Sequence, residues 1–97
     1  SVYPVEIEVA LDSLSDIKES AVIGVKDEAT GEKIVAFVVF KEDRFMVESE
    51  IIHELRKKLT NYKIPRQIVI LSEALPKTLV GKIDKVTLSK NYSAGKL

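Results

Sequence analysis

A small α+β domain is the fold that this 97-residue sequence predicts, as a single unit with a sheet of at least three strands. Three observations carry that expectation. Two nearly continuous apolar runs, Ala21–Val25 and Ile34–Phe40, flank a polar turn that contains a glycine, which is the pattern of a hairpin spanning about residues 21–40. Apolar stripes at helical spacing lie before and after that hairpin. A third β-rich run, Gln67–Leu71, follows the second stripe. Ninety-seven residues suffice for one core, with an expected radius of gyration of about 12–13 Å.

The elements follow in order. Pro4 suits a first helical turn, where its missing N–H costs nothing. Glu6 and Glu8 suit the positive end of the helix dipole. Ile7, Ala10, Leu11 and Leu14 fall at i, i+3, i+4 and i+7, so a helix is expected over about 4–14, ended by the turn formers Ser13–Asp16. The hairpin runs are apolar at consecutive positions, which predicts strands covered on both faces. Ile51, Ile52, Leu55 and Leu59 line one side of a second helix over about 47–60, with Glu54 and Lys58 paired at i,i+4. Ile64-Pro65 stops it, because the residue before proline avoids the helical region. After the strand at 67–71, Pro76–Lys82 reads as a loop. Asp84 is placed to cap a last helix over about 84–92.

Composition narrows the function. Fifteen Lys and Arg balance fifteen Asp and Glu, so the basic excess of a dedicated nucleic-acid binder is missing. There is no cysteine, which removes disulfides, thiolate catalysis and Cys-ligated zinc. The longest apolar run, Ile34–Phe40, is far short of the ~20 residues of a membrane span. No basic–apolar–small signal opens the sequence, so a cytoplasmic location is expected. The chain opens on Ser1 and has its single methionine at Met46, the expectation being a segment of something longer or processed.

Few residues carry chemistry by spacing alone. Glu6 and Glu8 are two apart on a helix and do not face each other. His53 stands off the Ile51/Leu55/Leu59 stripe with no second histidine to share a metal, and reads as a surface residue. Asn91-Tyr92-Ser93 matches the glycosylation pattern without a secretory signal to give it meaning. Tyr62-Lys63-Ile64-Pro65-Arg66 is a basic patch with one aromatic, too little for an RNA surface. Gly81-Lys82 fails the Walker pattern, because Pro76 and Ile83 occupy the places of its first glycine and its Ser/Thr. Spacing leaves two readings of that dipeptide open: a tight turn beside a solvated lysine, or a mobile cation presented after a glycine that lets the backbone approach a ligand.

Longer motifs decide between them. Leu75-Pro76-Lys77-Thr78-Leu79-Val80-Gly81-Lys82-Ile83 resembles the C-terminal signature of the adenylate-forming enzymes, which runs Leu-Pro-x-Thr, two variable residues, then Gly-Lys-Ile/Val. Tyr3-Pro4-Val5-Glu6-Ile7-Glu8 is similar to that family's Tyr/Ile-Pro-x-Glu-Ile/Val-Glu, and Ala21–Asp27 with Gly31-Glu32 is similar to its Ala-Val-Val-Gly-x-x-Asp…Gly-Glu hairpin. Tyr62-Lys63-Ile64-Pro65 matches its Tyr-Lys-x-Pro, so four motifs stand in the right order over most of the chain. The family includes acyl- and aryl-CoA synthetases, peptide-synthetase adenylation domains and firefly luciferase.

The resemblance implies that residues 1–97 are the mobile C-terminal lid of a larger ligase whose N-terminal ATP- and acyl-binding domain is absent. That domain of the same chain would be its partner, and Mg-ATP, a carboxylic acid and CoA the reactants of the whole enzyme, with no cofactor or metal held by the lid itself. Lys82 is then the catalytic lysine of the adenylation half-reaction. Gly81 would allow close approach, Pro76 and Thr78 would shape the loop, and Tyr3 would border the CoA channel. The fragment alone is expected to be inactive. Lys77 is more typical of fatty acyl- and aryl-CoA ligases, whereas Asp84 after Gly-Lys-Ile is a peptide-synthetase feature and Lys85 stands where arginine is common. An acyl-CoA synthetase is the first expectation, with a peptide-synthetase-type adenylation domain or a free-standing interaction or dimerisation module as alternatives.

Overall fold

The computed structural model describes residues 3–97, the side chain of Tyr3 excepted. Helix α1 (Tyr3–Asp12) leads into the hairpin of β1 (Ile17–Asp27) and β2 (Gly31–Phe40). Helix α2 (Glu48–Arg56), a short 3-10 turn (Asn61–Lys63), β3 (Gln67–Leu71) and α3 (Lys85–Ser93) follow. The sheet order is β1-β2-β3, with β1 antiparallel to β2 and β3 parallel to β2. A parallel neighbour needs a crossover, and α2 supplies it. The radius of gyration is 12.9 Å.

Apolar residues alternate between two cores, one on each face of the sheet. Val22, Ala36, Val38 and Ile68 point to the face that carries α1 and α2, where Ile7, Leu11, Ile51 and Leu55 are fully buried. Ala21, Ile23, Val35 and Phe37 point to the other face, which is covered by Leu75 of the loop and Leu88 of α3. Strands covered on both faces are therefore what the continuous apolar runs encode. Tyr92 fixes α3: its ring meets Phe37 edge-on at 5.7 Å and its hydroxyl donates to Gln67 Oε1. Both sheet edges are capped by carboxylates, with the Val22 N–H donating to Glu8 (2.8 Å) and the Ile68 N–H to Glu48 (2.8 Å). Such caps occupy donors that would otherwise invite another strand.

Several boundaries differ from the sequence expectation. Helix α1 stops at Asp12 instead of 14; Leu14 sits in the following turn, its N–H bonded to the Leu11 carbonyl, and still reaches the core. Strand β1 begins at Ile17, four residues before the apolar run. The extension contains a register shift between Ile17 and Glu19, which lets Ile17 and Val22 face the same core despite their odd separation. Helix α2 ends at Arg56, not at 60, because Lys58 and Leu59 both donate to the Leu55 carbonyl and tighten the last turn. Glu54 consequently pairs with Lys57 at 3.0 Å, one residue before the expected Lys58. Helix α3 begins one residue later than expected, with Asp84 as its cap: the Asp84 carboxylate accepts the Thr87 N–H at 3.0 Å.

Candidate functional site

Residues Pro76–Asp84 form a miniature hairpin that projects from the α3 face of the sheet. An isolated antiparallel bridge joins Lys77 to Ile83, and the Asp84 N–H donates to the Pro76 carbonyl at 2.8 Å. Thr78 organises the tip. Its N–H donates to the Lys82 carbonyl (2.7 Å), its carbonyl accepts the Gly81 N–H (2.9 Å), and its hydroxyl accepts the Lys82 N–H (3.2 Å). Gly81 has φ 86°, the left-handed region that side chains disfavour, so the turn onto Lys82 needs a glycine.

Leu79, Val80 and Lys82 are all exposed at this tip, Leu79 completely. Among the described residues Lys82 has no ion pair, in contrast to Lys57, Lys63, Lys77 and Lys85, which each hold a carboxylate within 3.0 Å. Pro76, Thr78, Gly81 and Lys82 thus fall in one loop. Tyr3 opens α1, but its side chain lies outside the described residues. An open groove of about 850 Å³ beside it is lined by Pro4 and Val5 of α1, Gly24 of β1, and Lys85 and Val86 of α3.

The base of the hairpin is fixed from below. Leu75, 2% exposed, is buried against Phe37 and Leu88 in the second core. Glu19 of β1 accepts the Leu75 N–H at 2.9 Å and the Lys77 ammonium at 2.7 Å, and Lys77 also donates to the Leu75 carbonyl at 2.9 Å. Burial works to raise the Glu19 carboxyl, but the Lys77 ammonium and the Leu75 N–H together outweigh it and hold the group below the ordinary glutamate range. At the far end, the Thr87 N–H and hydroxyl hold the Asp84 carboxyl down. Sequence reasoning missed Glu19. It stands 56 residues from Leu75, and no local pattern announces the contact.

His53 is exposed on α2, and among the described residues no group of three or more His, Cys, Asp or Glu is placed to hold a metal ion. Among those residues no helix is long and apolar enough to cross a membrane.

The two-faced α+β domain thus carries, on a braced hairpin, an exposed lysine that has no ion pair among the described residues. The family model for the AMP-binding enzyme C-terminal domain matches residues 6–82, and the chain belongs to that family. It is 41% identical over 85 residues to an indoleacetate–CoA ligase of Aromatoleum aromaticum, covering 88% of this chain and 16% of the relative. It is 39% identical over 94 residues to the long-chain-fatty-acid–CoA ligase FadD13 of Mycobacterium tuberculosis, covering 97% of this chain and 18% of the relative. Among solved structures, a Mycobacterium tuberculosis fatty acyl CoA synthetase superposes with a TM-score of 0.86 at 36% identity, over 95% of this chain and 18% of that one. The chain therefore spans less than a fifth of the length of these relatives.

Proposed function

We propose that this domain is the lid of an AMP-forming acyl-CoA ligase and that Lys82 serves the adenylation half-reaction. In that step a carboxylate oxygen attacks the α-phosphorus of ATP, the α–β phosphoanhydride bond breaks, and pyrophosphate leaves with the electron pair. Both reacting groups are anionic, so their approach in a site shielded from water costs Coulomb energy. An ammonium set between them offsets that cost as charge spreads in the transition state. The observation that carries the reading is the presentation of Lys82: exposed, without a partner among the described residues, and held at the tip of a braced hairpin. A mobile lid suits the chemistry, because the cation can arrive with the loop and leave with it before the thiol of CoA attacks the acyl carbonyl and releases AMP.

The nucleotide and acyl pockets would belong to the larger N-terminal domain of the same chain. Mg²⁺ would enter with ATP as part of the substrate. The groove beside the start of α1, with Lys85 on its wall, suits a border of the CoA path. CoA is favoured over a carrier protein as acceptor by the relatives, which are CoA ligases.

The test separates the two half-reactions in the full-length ligase. Lys82→Ala is expected to slow acyl-adenylate formation by about 10²-fold or more, the scale of one lost preorganised donor. Thioester formation from supplied acyl-adenylate and CoA should stay within a few-fold of wild type. Lys82→Arg should restore adenylation poorly, because a planar guanidinium does not reproduce a compact ammonium between two oxygens. Equal loss in both half-reactions, or loss in neither, would overturn the assignment.

A further inference from the structure

We propose that Glu19 is a positioning residue for adenylation: by gripping both the backbone and a side chain at the foot of the Pro76–Asp84 hairpin, it fixes where Lys82 stands. The inference rests on the reading of Lys82 given above.

The hairpin is short. The Lys77–Ile83 bridge pairs its strands, Ile83 packs partly buried against the second core, and its tip residues are exposed. Two features join its first strand to the body of the domain: Leu75 in the second core, and the Glu19 carboxylate. Leu75, with Ile83 on the second strand, supplies burial, which is non-directional. Glu19 supplies direction. One carboxylate oxygen accepts the Leu75 N–H and the other meets the Lys77 ammonium, so two consecutive odd-numbered residues of the loop strand are pinned to one point on β1.

Lys77 closes the triangle by donating to the Leu75 carbonyl. The Glu19 side chain is 15% exposed and that of Lys77 37%, so these bonds are charge-assisted and shielded on the Glu19 side. Glu19 itself is anchored in the sheet: it lies in β1 opposite Val39 of the central strand, next to the register shift between Ile17 and Glu19. The chain of constraint therefore runs from the sheet through Glu19 to Leu75 and Lys77, and then across the bridge to Ile83, next to Lys82. A displacement of about 1 Å at a reacting group can cost up to ~10²-fold in rate, so a hairpin free to pivot at its foot would present the ammonium poorly.

The experiment uses the full-length ligase with Glu19→Ala, Glu19→Gln, Lys77→Met, the Glu19→Ala/Lys77→Met double variant, and Lys82→Ala as reference. Glu19→Ala is expected to slow adenylation about tenfold or more while thioester formation from supplied acyl-adenylate and CoA stays within about twofold. Glu19→Gln keeps an acceptor for the Leu75 N–H and should lose less, and Lys77→Met should match it. The double variant should be no slower than Glu19→Ala, as for partners in one contact. Hydrogen exchange at the Leu75 amide gives a readout independent of turnover: faster in Glu19→Ala, unchanged in Lys82→Ala.

Loss of both half-reactions together would make Glu19 a general folding residue and overturn the proposal. Adenylation within twofold of wild type in Glu19→Ala, beside a disabled Lys82→Ala, would overturn it as well. If Lys82→Ala itself adenylates normally, the reading of Lys82 fails, and the Leu75 exchange rate still decides whether Glu19 holds the loop. Should Glu19→Ala fail to fold, Glu19→Gln and Lys77→Met carry the same comparison.

Discussion

Asp84 works at the joint between the hairpin and α3. Its N–H closes the hairpin on the Pro76 carbonyl, while its carboxylate caps the helix through the N–H and hydroxyl of Thr87. The Thr87 N–H, then its hydroxyl, hold the Asp84 carboxyl below the usual aspartate range. A carboxyl depressed by folding contributes stability that is complete above its unfolded pKa and is lost as pH falls through the folded one. Asp84→Ala should therefore lower the melting temperature at neutral pH, and the gap to wild type should close below about pH 4, as thermal melts across pH 3–7 will show. Lys82 behaves oppositely at this scale. Its side chain is exposed and has no partner among the described residues, so Lys82→Ala should leave the melting temperature nearly unchanged. A melt that falls as far for Lys82→Ala as for a core truncation would mean that the lysine is structural.

Among the elements, the two cores separate stability from presentation of the site. Leu55 of α2 is fully buried on the face away from the hairpin. Leu55→Ala should cost about 2–5 kcal/mol in denaturant unfolding, the range for a truncated core leucine. Leu75 is nearly as buried but belongs to the other core and to the foot of the hairpin. Leu75→Ala should cost a similar amount and in addition slow adenylation in the full-length ligase, whereas any residual folded Leu55→Ala should adenylate normally. Kinetics of the two variants at a temperature where both remain folded make the comparison. Equal adenylation in both would mean that the second core does not set the loop.

For the molecule as a whole, 97 residues with two apolar layers around one sheet make a core of ordinary small-domain size. The purified domain is expected to unfold cooperatively on its own. It is also expected to show no ATP–pyrophosphate exchange, because under the proposed function the nucleotide and acyl pockets belong to the N-terminal domain. Detectable exchange by the isolated domain would contradict its reading as a lid.

Element types and their order were legible in the sequence, because local periodicity and punctuation encode them: the Ile7/Leu11 and Ile51/Leu55 stripes, the two apolar runs about Gly31, and Asp84 as a cap. The motif around Gly81 and Lys82 was legible too, since a turn needing positive φ is written in consecutive residues. Other features come from contacts between residues far apart in the chain, which no local pattern constrains. The parallel pairing of β3 with β2 depends on how α2 crosses the sheet, not on the composition of Gln67–Leu71. The early start of β1 depends on β2 pairing with polar residues that carry no strand signal. The Glu19 contact with Leu75 and Lys77 exists only because folding brings the loop back onto β1. Sequence alone determined that a lysine follows a glycine in a turn; the tertiary structure decided what that turn is braced against, because a carboxylate acts through distance in space and not through distance along the chain.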